Sequence, residues 1–122
     1  MAKGTLIWPY NNAWDDVILF FETSEEIPEP KYIEYWLRNY GSQGILNRVK
    51  GIVFGKPYDN KYYKEYKSVI QKVLNELNLN ELPILYNMNF GHTLPMFVVP
   101  YGAMAEINCN DKSFSILESG VI

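Results

Sequence analysis

Two side chains in this sequence are of a type, and in a setting, that could move a proton. Glu22 directly follows the short apolar run Val17-Ile18-Leu19-Phe20-Phe21, and His92, the only histidine in 122 residues, stands between Gly91 and Thr93 in "NMNFGHTLPMFVVPYG". A carboxylate aimed at an imidazole keeps one ring nitrogen protonated and stabilises the imidazolium. The other nitrogen is then free to take a proton from a nucleophile. Each residue also has a plainer reading. Glu22 could be a strand-ending acid solvated by its loop, and His92 a hydrogen-bonded structural residue beside an apolar run. Whether the two emerge at the same edge of one sheet separates these readings.

A nucleophile for such a pair is hard to find. Ser24, Ser42, Ser68, Ser113, Ser115 and Ser119 include no G-x-S-x-G elbow, the strained strand-to-helix turn that exposes a catalytic serine. Ser24 lies near Glu22, but an enzyme built on it would still lack oxyanion donors. Cys109 falls inside a hairpin pattern and reads as a small packed residue. Glu25, Glu26, Glu29 and Asp59 could form a second acidic site, against the plainer reading of solvated loop acids. One cysteine and one histidine leave no Cys/His cluster for a zinc site, and no cofactor is expected. The formal charge of −3, with lysines scattered among acids, gives no basic footprint for nucleic acid or anionic lipid. With no leader pattern and no apolar run of membrane-spanning length, the chain reads as a soluble, cytoplasmic domain.

The elements that would position Glu22 and His92 alternate between strand and helix. Apolar residues make up 48% of the chain, with ten tyrosines and three tryptophans, too much apolar material for disorder. One domain over residues 1–122 is expected, with 1–16 as its leading segment. Val17 to Phe21 reads as a strand covered on both faces. "TSEEIPEP" breaks regular structure, and Ile33, Trp36, Leu37 and Tyr40 recur at helical spacing until Gly41. "GILNRVK" reads as a short helical turn and "GIVFG" as a second buried strand. From Asn60 to about Leu77, the residues Tyr62, Tyr66, Val69, Ile70, Val73, Leu74 and Leu77 form the apolar stripe of a long helix. "LPILYN" is a third buried strand. "MFVV" follows His92, and "AMAEINC" and "SFSILES" pair as a hairpin across "NDK". The order predicts an α/β domain: a mixed sheet with packed helices, in a three-layer β/β/α arrangement.

The stretches "ILFFETSEE", "WLRNYGSQGILNRVKGIVFGKP", "LPILYNMNFGHTLPMFVVPYG" and "AEINC" together resemble the carboxyl-terminal domain of the LD-carboxypeptidase family of serine peptidases. The resemblance is nearest to the branch containing the microcin C self-immunity peptidase, and it spans nearly the whole chain. It implies a swivelling β/β/α domain in which Glu22 matches the glutamate and His92 the histidine of a Ser-Glu-His triad. It further implies that the serine and oxyanion donors come from an amino-terminal nucleophile domain, the expected partner, which this sequence lacks. The implied substrates are a murein L,D-peptide or a peptidyl or aminoacyl nucleotide. Without nucleophile or oxyanion donors, the chain alone is expected to show no appreciable turnover. The alternative is a non-catalytic binding or interaction module with the same fold. A missing partner domain would also leave surface uncovered, with Trp8, Tyr10 and Trp14 the expected place and self-association or a homodimer the expected result.

Overall fold

The computed structural model describes residues 9–90 and 102–117; the expected "MFVV" strand and His92 itself lie outside them. Three short apolar runs become three parallel strands, β1 (Ile18–Phe21), β2 (Gly51–Gly55) and β3 (Ile84–Met88), in the order β1-β2-β3. β1 pairs with β2 from Ile18 opposite Gly51 to Phe21 opposite Phe54, and Ile52 and Val53 lie opposite Ile84 and Leu85. Parallel neighbours need a long return connection. Here α1 (Pro30–Ser42) joins β1 to β2, and α2 (Tyr63–Glu76) joins β2 to β3. β4 (Ala105–Asn108) and β5 (Ser113–Ile116) form the expected hairpin. Among the described residues the parallel and antiparallel strands thus form two separate sheets, stacked as layers of one α/β domain.

Side-chain alternation along the strands explains why the apolar runs are continuous. Leu19 and Phe21 of β1, Ile52 and Phe54 of β2, and Ile84 and Tyr86 of β3 belong to one core cluster, shared with Ile33 and Leu37 of α1 and Tyr66, Ile70 and Val73 of α2. Ile18, Phe20, Val53, Leu85 and Met88 face the other way, where they meet Ile107 of β4 and Phe114 of β5. Each strand is therefore covered twice, by helices on one face and by the hairpin on the other, so no polar alternation is required. The three layers expected from the sequence are these.

The connection after α1 corrects one expectation. Gly41 does not end the helix but lies inside it, and a Cβ there would come within 2.6 Å of Leu77 Cδ1 at the end of α2. The stop is made by Gly44, with φ of 77°. The Gly44 N–H donates to Gly41 O at 3.0 Å and the Ile45 N–H to Tyr40 O at 3.1 Å. This is the paired hydrogen-bond pattern of a left-handed helix terminator. The following turn buries Ile45, Leu46 and Val49 under the helices. On the solvent side the two helices are tied by charge. Arg38 Nε and Nη2 donate to Glu76 Oε2 and Oε1 at 3.1 and 2.8 Å, and Lys72 Nζ donates to Glu34 Oε1 at 2.9 Å. The Arg38 guanidinium holds the Glu76 carboxyl below the usual carboxylate range.

Gly44→Ala must place a side chain in the left-handed region and is expected to destabilise the fold by about 1 kcal/mol in urea unfolding. Gly41→Ala meets only the flexible end of Leu77 and is expected to cost less.

Candidate active site

Because β1, β2 and β3 run in the same direction, their carboxyl ends share one edge, where open α/β sheets place ligands. Glu22 leaves that edge directly after Phe21 and is exposed. His92 lies outside the described residues, but the chain that leads to it does not. Phe90, two residues before His92, is buried, and its ring meets that of Phe20, two residues before Glu22, at 5.7 Å and 86°. Two residues of extended chain reach at most about 7 Å. The segments carrying the two candidate residues therefore depart from one aromatic contact.

That contact depends on backbone detail at the ends of β2 and β3. After Val53 and Leu85, the next paired residues are Gly55 and Met88, so β3 carries one more residue than β2 over this stretch. Met88 O then accepts from the N–H of Lys56 and from that of Phe90, both at 2.9 Å. A Cβ on Gly55 would lie 2.5 Å from Phe90 O. Only a glycine lets the Phe90 backbone pass this close.

The loop beyond Glu22 is held from below. Tyr66 of α2 donates its hydroxyl to Pro28 O at 2.5 Å. Within the loop Ser24 Oγ accepts from the Glu26 N–H at 3.3 Å, while Ser24 O accepts from the Ile27 N–H at 3.1 Å. Ser24 is therefore part of a turn rather than of a strand-to-helix elbow. Of the loop acids, Glu29 pairs with Lys31 at 2.9 Å, and Asp59 sits in the 3-10 turn Tyr58–Asn60 with φ of 57°.

Beside Glu22 lies a cavity of about 40 Å³ whose walls include Phe21, Trp36, Phe54, Tyr66 and Tyr86. Phe21 stacks on Phe54 at 5.6 Å, with Tyr86 6.3 Å beyond. The Tyr86 hydroxyl donates to Tyr63 O at 2.8 Å. Burial raises the pKa of both Tyr66 and Tyr86 above the ordinary tyrosine value. Tyr66 and Tyr86 thus belong both to the core around the helices and to the wall of the cavity. Trp36 shares the helical spacing of Ile33 and Leu37 but remains 47% exposed beside the cavity. Helical spacing alone gave no signal for that. Cys109, expected to be packed, is exposed. Of the expected aromatic surface, Tyr10 is exposed, whereas Trp14 packs edge-on against Tyr40 at 6.3 Å and is only partly exposed. Trp8 lies outside the described residues.

The model of the LD-carboxypeptidase C-terminal domain family matches residues 1–107. The chain belongs to that family. It is 28% identical over 123 residues to a probable murein peptide carboxypeptidase of Bacillus subtilis (strain 168), an alignment covering 99% of this chain and 38% of that protein. It also superposes with a TM-score of 0.78, at 32% identity, on an MccF-like protein from Streptococcus pneumoniae crystallised in complex with AMP. That match covers 89% of this chain and 31% of the streptococcal one. The chain thus spans about a third of the length of these relatives, and the LD-carboxypeptidase resemblance read from the sequence is borne out. No helix among the described residues is long and apolar enough to cross a membrane.

Tyr66→Phe removes the hydrogen bond to the Pro28 carbonyl and is expected to cost about 1 kcal/mol in urea unfolding near neutral pH. The Tyr66 and Tyr86 hydroxyls hold their protons more tightly in the folded chain than in the unfolded one. Their contribution is therefore complete below about pH 10 and is lost as pH rises further. Urea unfolding at about pH 9 and about pH 11 is expected to show a smaller loss of stability for Tyr86→Phe than for the parent chain.

Proposed function

We propose that this domain supplies the acid and base of a Ser-Glu-His triad, completed by a serine-bearing amino-terminal domain, for peptide or peptidyl-nucleotide hydrolysis in the cytoplasm. The observation that carries the proposal is the Phe20–Phe90 contact, which starts the Glu22 and His92 segments from one place at the carboxyl edge of the sheet. In this reading Glu22 orients the His92 ring. His92 takes the proton of the serine hydroxyl as it attacks the scissile carbonyl, and returns it to the leaving group, the amine of a peptide or the nucleotide side of a peptidyl nucleotide. Water then repeats the sequence on the acyl-enzyme. The nucleophile and the donors that stabilise the tetrahedral oxyanion are the partner domain's contribution.

Two substrate classes fit. The name of the Bacillus relative supports the L,D-amide of a murein peptide, and the AMP held by the streptococcal protein supports an aminoacyl or peptidyl nucleotide. The second also agrees with the "ETSEE" stretch after β1. The isolated domain is further proposed to self-associate through exposed aromatic surface such as Tyr10. A light-scattering mass of one chain at high concentration would remove that part of the reading.

The decisive experiment compares hydrolysis of a murein tetrapeptide and of an aminoacyl nucleotide by the domain alone and with a separately produced serine-bearing half. Turnover is expected only in the mixture, with His92→Ala lowering it by about 10³-fold or more. Turnover by the domain alone would mean that a nucleophile lies within this chain. A docked mixture that ignores His92→Ala would leave a binding module.

A second measurement needs no substrate. Because His92 is the only histidine, its ring can be titrated by NMR without assignment. Glu22→Gln is expected to lower the midpoint by roughly one pH unit, and an unchanged midpoint would separate Glu22 from His92.

A further inference from the structure

The extra residue in β3 is Asn87, and its backbone is left-handed, with φ of 66°. Few residues other than glycine and asparagine take that conformation readily. The side chain gains little in return, because Asn87 Oδ1 is buried with no hydrogen-bond partner among the described residues. Buried acceptors without a donor are destabilising. The reason for asparagine here therefore lies in the backbone.

The position of the extra residue has a definite effect. Strand side chains alternate, and one inserted residue reverses the faces of all that follow. Leu85 faces the hairpin layer, and Met88 and Phe90 face it as well. In an uninterrupted strand, Met88 and Phe90 would fall on the face opposite Leu85. The left-handed step at Asn87 brings Phe90 back over Phe20, where Gly55 leaves room for its carbonyl.

We propose that Asn87 is a positioning residue for His92: its left-handed backbone, not its side-chain hydrogen bonding, sets the point from which the His92 segment departs. This rests on the catalytic role assigned to His92, but its test does not. The ring resonances of His92 report the surroundings of the imidazole in the chain as it stands.

Asn87→Gly keeps the left-handed freedom and removes the buried acceptor, and it is expected to leave the His92 ring resonances within a line width of the parent. Asn87→Ala removes the same side chain and opposes the backbone. It is expected to move those resonances and to shrink, by half or more, the response of the His92 titration midpoint to Glu22→Gln. A structural role alone would lower the melting temperature of Asn87→Ala and leave the resonances of the folded chain in place, which would overturn the proposal. Equal displacement by the Gly and Ala variants would overturn it too, by giving the effect to the side chain. Should Asn87→Ala fail to fold, Asn87→Gly and the neutral Asn87→Ser decide: Gly keeps the left-handed freedom and is expected to match the parent, while Ser opposes it and is expected to displace the resonances, and displacement by Gly or none by Ser counts against the proposal. If Glu22→Gln moves nothing in the parent chain, the triad reading fails, while the Gly–Ala comparison of ring resonances still judges Asn87.

Discussion

The parallel pairing of β1, β2 and β3 is the constraint on which the rest of the domain depends. Parallel strands cannot be joined by tight turns, so α1 and α2 must cross from one end of the sheet to the other and cover one face as they do so. The other face is left apolar and is closed by the hairpin. The same pairing collects three chain ends at one edge. Two of those ends lead into the segments of Glu22 and His92, the pair proposed for proton transfer, and the third, at Gly55, is bare of side chain where the backbone of Phe90 passes.

If the proposed triad holds, the domain has to keep Glu22 and its surroundings in place before a serine-bearing partner docks. Here the supports are strand ends and a buried aromatic layer. Phe21, Phe54 and Tyr86 form a continuous wall beneath Glu22, and Tyr66 fastens the following loop to α2 through Pro28. The ionic ties between Glu34, Arg38, Lys72 and Glu76 lie on the solvent side of the helices, where salt screens them. The site side of the helices relies on apolar contact instead.

The strands were legible because short unbroken apolar runs bounded by glycine, proline or charge have few other uses, and "GIVFG" matches β2 residue for residue. The hairpin was legible from its turn. The end of α1 was misread because Gly41 and Gly44 look alike in sequence. Only structure separates a glycine needed for the close approach of Leu77 from one needed for a left-handed step. The exposure of Trp36 could not be read from helical spacing, since the cavity edge cuts across the apolar stripe of α1. The position of Glu22 directly after a strand was legible, because a charge closes the apolar run of β1. Asn87 was passed over because a single inserted residue in a strand leaves no periodic trace, and a lone asparagine is a common residue.

The hairpin has a consequence for the order in which the domain assembles. β4 and β5 pair locally across a short turn, and hairpins of this kind form in microseconds. The three parallel strands are joined only through long connections, whose closure is slow. The hairpin's seat on Val53 and Leu85 exists only once those strands are in register, and Ile107 packs so near Gly51 that a Cβ there would lie 2.6 Å from its Cδ1. A two-stranded ribbon is marginally stable by itself, so the hairpin depends on that seat for its lasting place in the molecule. The surface around Phe90, from which the His92 segment departs, shares the cluster of Val53 and Leu85 and so depends on the same docking of hairpin on sheet.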